Sequence, residues 1–292
     1  MVEVIPGKKG FVLTLSAILL LSSVLLFSQF YLNKTALQNS EILEGFHSSK
    51  AAFLLDDISS DFNKLLGASV DINRGSSSLR ISVKDRLSGD YNKMNVLSLQ
   101  SFLQKGYAEK QAASISLDLN RLVDGQTELV FSNGIHYDFS YDQNFFLFHK
   151  PSSSTNATAY DLNVSVNAFS DYYIPWAWNP SGDLSVSFRY SDQNSLSSIN
   201  YSGKVDSSIQ NNFTFHYNDG TQLVVSVGAI GSSLKALRLS KTFSANSSRA
   251  TYSFNAFLPA DNRKPFYAFY DADLNYSQLD VNSFSKIVVA RG

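Results

Sequence analysis

Four histidines, His47, His136, His149 and His216, are the side chains best suited to proton transfer or metal ligation in this 292-residue chain, and cysteine is absent. None of them stands at a spacing that would place two imidazoles on one metal. His136 and His216 each sit beside a tyrosine in an alternating strand pattern, so ordinary structural histidines are the expectation. The lack of cysteine removes thiolate nucleophiles, thiolate-held metals and disulfides. Asp271, Asp273 and Asn275 form a D-x-D-x-N run whose oxygens could hold calcium in a loop. Tyr276 stands where such a loop needs glycine and Asn282 where it needs a closing glutamate, so an exposed turn is the better reading. There is no Gly-x-Ser-x-Gly, no phosphate-cradling glycine loop and no His-Glu-x-x-His. Neither an enzyme nor a cofactor or metal site is expected.

The other chemistry-bearing cluster is aromatic. Tyr172, Tyr173, Trp176 and Trp178 gather around Pro175 and Pro180. A rigid loop carrying planar rings at the end of a β-sandwich could stack on sugar rings or anchor a protein partner. The plainer alternative is a loop whose rings plug the end of the core, because large aromatics bury more often than they display. Asp56-Asp57 reads as the solvated face of a helix.

Composition narrows the classes. Net charge is −1 with 17% charged residues, which offers neither a basic surface for nucleic acid nor an acidic tail. Serine (47) and asparagine (23) supply neutral polar groups, and 22 Phe with 15 Tyr can supply a core without disulfides. Asn-x-Ser/Thr triplets occur at Asn33, Asn156, Asn163, Asn200, Asn212, Asn246 and Asn275. Chance alone gives about four or five in so serine-rich a chain.

What must position these groups begins with residues 11–32, which carry no charge. As a helix they would extend roughly 33 Å, enough for a bilayer core of about 30 Å. Lys8 and Lys9 precede them, so the positive-inside bias puts the N-terminus in the cytoplasm and everything after residue 32 outside. The lipid bilayer is then a partner through 11–32. The run is longer than the apolar core of a removable secretory signal. Residues 33–66 continue as an amphipathic stalk, with Ile42, Phe46, Phe53, Leu55, Ile58, Phe62 and Leu65 forming a stripe and Gly67 a stop.

The leader residues Lys8, Lys9 and Gly10 before Phe11, the apolar span and its amphipathic continuation resemble the N-terminus of type IV pilin-like proteins, including archaeal ones. The resemblance covers about 60 residues. It implies cleavage between Gly10 and Phe11 and a helix that packs against other subunits in a filament. Leu15 stands where many members carry a glutamate that pairs with a neighbouring subunit.

Beyond the stalk, residues 68–87 pattern as a hairpin turning at Arg74-Gly75-Ser76. Residues 91–111 pattern as a helix with Met94, Leu97 and Phe102 inward. Alternation returns at Ile115–Leu119, at Leu129–Phe131 and, across Asn133-Gly134 as a type I′ turn, at Ile135–Tyr141, then at Phe145–Phe148. Residues 150–159 form a polar linker. Strand patterns around Tyr160–Val166, Leu184–Tyr190, Phe213–Tyr217, Leu223–Val227 and four later runs suggest a β-sandwich. The sequence thus predicts an α+β protein: leader 1–10, transmembrane helix 11–32, stalk helix 33–66, a small antiparallel α/β head 67–149, linker 150–159 and a C-terminal antiparallel β-sandwich 160–292. The functional expectation is a single-pass surface protein, a minor or tip-like pilin-like subunit that self-associates. The alternative is a signal-anchored binding module for a surface glycan or protein, with Tyr172, Tyr173, Trp176 and Trp178 as its contact surface.

Overall fold

A computed structural model describes residues 20–35, 49, 52–60, 62, 68–85, 93–111, 114–140, 145–177, 179–192, 198–242, 250–259, 265–278 and 281–292. The chain divides into two compact units, Met1–Phe53 and Leu54–Gly292.

In the first unit, residues 20–35 form helix α1. Its hydroxyls fold back onto its own carbonyls: Ser23 Oγ donates to Leu20 O and Thr35 Oγ1 to Tyr31 O, each at 2.8 Å. Among the described residues it is the longest helix, 16 residues or roughly 24 Å by the α-helical rise. Among the described residues, no helix is long and apolar enough to cross a membrane. The expected transmembrane helix 11–32 is therefore not supported, nor is the single-pass location with an exterior C-terminal part that rested on it. Of the expected stalk 33–66, the described residues 33–35, 49, 52–60 (helix α2) and 62 are helical, and the rest of it lies outside the described residues.

In the second unit, Leu54, Ile58 and Phe62 lie four apart and are all buried. Phe62 packs its ring against Tyr270 at 4.6 Å. Asp56 and Asp57 are exposed, as their place opposite that stripe demands. Strand dominates, at 55% of residues against 23% helix, so the α+β expectation gives way to a β protein.

The strands form because alternating residues can face opposite ways across a pleat. Leu184–Ser191 (β9) buries every other side chain from Leu184 to Tyr190, and Ala159–Val166 (β7) does so from Tyr160 to Val166. Two sheets result. Six strands run in the order Ala68–Arg74 (β1), Ser78–Asp85 (β2), Ala250–Pro259 (β14), β7, β9 and Ile199–Val205 (β10). The second sheet begins with Val281–Arg291 (β16), Tyr267–Gln278 (β15), Gln126–Phe131 (β4), His136–Ser140 (β5) and Phe145–His149 (β6). It continues with Ser233–Thr242 (β13), Gln222–Ile230 (β12), Gln210–Tyr217 (β11) and Ser170–Ile174 (β8), and Ser114–Leu117 (β3) adds to β15. Every named pairing is antiparallel but one: β7 and β9 run parallel. A parallel neighbour needs a crossover. Here the chain crosses to the other sheet, lays down β8 at its edge and returns.

Aromatic rings fill the space between the sheets. Phe254 of β14 meets Tyr137, Phe146 and Phe148 of the facing sheet at 5.8, 5.1 and 5.4 Å. Phe188 of β9 meets Phe213 of β11 at 5.1 Å, and Tyr190 stacks on Phe215 at 3.8 Å. Each sheet also draws on both sides of residues 150–159: β2 pairs with β14, and β6 with β13. The sandwich is thus not a C-terminal addition to a separate α/β head. Early strands are integral members of both sheets.

Two local expectations also change. The helix near residue 91 exists as Lys93–Ser101 (α3), continued by a π-helical turn at Phe102–Tyr107 and by Ala108–Gln111 (α4). Its buried residues are Val96, Leu103 and Ala108, while Met94 and Phe102 are 67% and 51% exposed. Apolar residues occupy both faces, so periodicity alone could not choose the inward one. The Asn133-Gly134 hairpin is present, but only Gly134 has positive φ (80°). Gly134 N donates to Phe131 O and Phe131 N to Ile135 O, both at 2.8 Å. That is a type I turn closed by a glycine bulge, not type I′, which needs two left-handed residues.

Candidate functional site

Strand β8 carries consecutive exposed apolar side chains in the second unit. It closes one end of the ten-stranded sheet, paired with β11. Tyr172, Tyr173 and Ile174 are 56%, 42% and 53% exposed, and Phe169 just before them is 47%. Tyr172 stacks flat on His216 of β11, 4.2 Å apart and 12° off parallel, which fixes the ring on the outer surface. Tyr173 turns to the rim of the sandwich, against Phe213 at 5.6 Å and Tyr201 of β10 at 6.4 Å. The register slips between His216 and Tyr217.

Trp176, the next aromatic along, behaves oppositely. It is 3% exposed, its Nε1 donates to Val225 O at 3.1 Å, and its ring meets Phe188 and Phe213. It fills the gap where the crossover chain leaves one sheet for the other. Of the four aromatics expected to form one surface, Tyr172 and Tyr173 are displayed, Trp176 is a plug, and Trp178 lies outside the described residues. Lys8, Lys9, Gly10, Phe11 and His47 also lie outside them.

The histidines are less scattered than their numbering implies. His136 of β5 stands directly opposite His149 of β6, with ring centres 5.8 Å apart. Each donates to a carboxylate: His136 Nδ1 to Glu128 Oε1 at 2.5 Å, His149 Nε2 to Asp138 Oδ2 at 2.9 Å. Glu128 also accepts from Arg121 Nη1 at 2.5 Å. On the far side of the His149 ring, Ser233 Oγ lies 3.2 Å from Nδ1. These groups border a recess of about 420 Å³ on the outer face of β4–β6. A serine, histidine and aspartate in sequence can activate a hydroxyl. Ser233, however, is 2% exposed, so a substrate cannot reach it, and the set serves to satisfy buried polar atoms. Alternation within each strand carried part of the signal, sending Glu128, His136, Asp138 and His149 to one face. The pairing of Glu128 with Asp138, however, depends on the glycine bulge, since a type I′ turn at Asn133-Gly134 would shift the register by one residue.

Asp271 and Asp273 lie in strand β15, not in a turn. Among the described residues, no group of three or more His, Asp or Glu is placed to hold a metal ion.

Several ionisable groups, Lys241, Asp183 and Tyr160 among them, are perturbed in ways the packing explains. Partial burial depresses the Lys241 ammonium to about 8 against an opposing pull from Asp219. The same ammonium sits 5.8 Å over the Tyr217 ring. Burial raises the Asp183 carboxyl, but the Lys235 ammonium at 3.0 Å and the Ser207 backbone and hydroxyl outweigh it and bring it to about 2. Burial pushes the Tyr160 phenol above its ordinary range, and its hydroxyl donates to Lys235 O at 2.6 Å.

No family model matches the chain, and no curated protein or solved structure matches it either.

Proposed function

We propose that the chain is a non-catalytic interaction protein whose β-sandwich captures an extended, apolar segment of a protein partner along strand β8. The observation that carries this is the edge itself. Among the described residues no strand pairs with its outer edge, and its side chains expose three large apolar residues in succession. Natural proteins usually blunt such an edge with charge, proline or a covering element. Here only Asp171 supplies charge within the strand. Strand addition would take main-chain hydrogen bonds from β8 and specificity from Tyr172 and Tyr173. Selection from a displayed random-peptide library tests it. Enriched peptides should carry apolar residues at alternate positions, slow hydrogen exchange of the β8 amides, and lose binding to Tyr172→Lys and Ile174→Lys. Peptides that protect another surface and ignore both substitutions would overturn the reading.

A second reading, a structural subunit that associates with its own copies, draws on the first unit. Helix α1 exposes Leu21, Leu25, Phe27, Phe30 and Tyr31 at 58–74%, an apolar surface that one copy leaves uncovered. It also keeps the pilin-like cleavage between Gly10 and Phe11 as a companion expectation. Sedimentation of the full chain beside Leu25→Lys should show association that the substitution abolishes. A monomeric wild-type chain at high concentration would sink it.

A further inference from the structure

The outer face of the six-stranded sheet carries a continuous polar row. Strand pairing places six polar residues in one row across all six strands: Ser69, Lys84, Ser253, Asn163, Arg189 and Asn200. A groove of about 550 Å³ lies over this row. Lys84 and Arg189 line it, and among the described lining residues none is acidic. Between the two cations stand the hydroxyl of Ser253 and the amide of Asn163, and Asn200 continues beyond Arg189. Tyr190 and Tyr252 also border it, but their rings face the space between the sheets.

The next row along the strands differs. There Ser82 Oγ donates to Asn255 Oδ1 at 2.6 Å and Asn255 Nδ2 donates to Asp161 Oδ2 at 3.5 Å, while Asp161 Oδ1 is buried without a hydrogen-bond partner. Asp161 also faces Arg189, but the closest approach is 3.9 Å, beyond hydrogen-bond length, and the Arg189 side chain is 59% exposed. The guanidinium therefore keeps its fork available for a planar anion.

We propose that this row binds an acidic oligosaccharide, with one carboxylate on Arg189, a second on Lys84, and sugar hydroxyls bonded to Ser253, Asn163 and Asn200. The spacing selects the size of the ligand. Lys84 and Arg189 lie three inter-strand steps apart, roughly 14 Å. One inorganic anion or one sugar cannot span that, whereas an extended chain of several uronic acid units can. The composition selects its chemistry. Neutral hydroxyl and amide groups between two cations complement a ligand that alternates hydroxyls with carboxylates. The site is separate from strand β8, and neither proposal depends on the other.

Calorimetric titration of the full chain with a defined oligogalacturonate, and with an oligomer alternating uronate and hexosamine, tests the assignment. A neutral maltooligosaccharide of the same length and an oligoglutamate peptide are the comparisons. At least one acidic saccharide should bind, with affinity falling as salt rises. Arg189→Gln and Lys84→Gln should each weaken it about tenfold, the loss expected for one charge-assisted hydrogen bond. Asn163→Ala should weaken it less, and Tyr172→Lys should leave it unchanged. Unaltered thermal melts will show that these exposed substitutions leave the fold intact. Three outcomes would overturn the proposal: no acidic saccharide binds at millimolar concentration, oligoglutamate binds equally well, or binding survives both cation substitutions.

Discussion

Tyr172 and Trp176 are four residues apart in one aromatic run, and the fold uses them in opposite ways. Tyr172 lies on an edge strand with one sheet behind it and solvent in front. Trp176 lies where the chain passes between sheets, and both close over it. The difference is one of topology rather than residue type. A large aromatic contributes stability where two layers enclose it and is available for recognition where only one layer supports it.

The largest effect should come from the plug. Trp176→Ala removes a fully enclosed ring and leaves the Val225 carbonyl without its indole donor, so unfolding free energy should drop by about 3–5 kcal/mol. Tyr172→Ala removes a ring stacked on one neighbour and otherwise in water. It should cost about 1 kcal/mol or less. Denaturant titration of the two variants side by side measures the contrast. Equal losses would mean that β8 is as enclosed as the crossover and would weaken its assignment as a docking edge.

The same contrast separates what the sequence disclosed from what it hid. Alternation at Tyr160–Val166 and Leu184–Tyr190 marked strands and their buried faces directly. So did the turn at Asn218-Asp219-Gly220, where Gly220 N donates to Tyr217 O. Alternation says nothing about which strands become neighbours. Residues 84, 253, 163 and 189 share one row only because β2, β14, β7 and β9 lie side by side, and no local signal fixes that order. Chain order likewise suggested a head followed by a sandwich, whereas strands from before and after residues 150–159 lie side by side in both sheets. The membrane expectation is not supported, because among the described residues, where α1 covers 20–35, no helix is long and apolar enough to cross a bilayer. The inward face of α3 was illegible because Val96 and Leu103 compete with Met94 and Phe102, and tertiary packing decided between them.

Two charged groups let the comparison between enclosed and open positions be read by titration. Lys241 is mostly enclosed, and burial holds its folded pKa at about 8, below the ordinary 10.5. Between those values the unfolded chain binds the proton that the folded chain has lost, so stability should rise with pH across that window. Tyr217 and Tyr190 are raised by burial and work against the rise above their ordinary value of 10.0. Lys241→Met isolates the lysine, because the tyrosines are common to both proteins. The rise between about 8 and 10.0 should vanish in the variant. An unchanged profile would show that the ammonium is solvated and that the end of the sandwich at Tyr217 is open.

Asp183 is the open counterpart and should give the smallest effect. Its side chain is 54% exposed, so solvent screens the Lys235 pair. Its folded pKa lies near 2 against 3.8 in the unfolded chain. The folded state thus prefers the charged form, and the stability it contributes is fully present above 3.8 and lost as pH falls towards 2. Asp183→Asn should flatten only that acid limb and leave the alkaline limb of Lys241 untouched. Midpoints of urea unfolding across both windows, in wild type and the two variants, would show whether the effects are separate. If Asp183→Asn also moved the alkaline limb, the two ends of the sandwich would be coupled through β13, which carries both Lys235 and Lys241. The division into an enclosed end and an open end would then have to be abandoned.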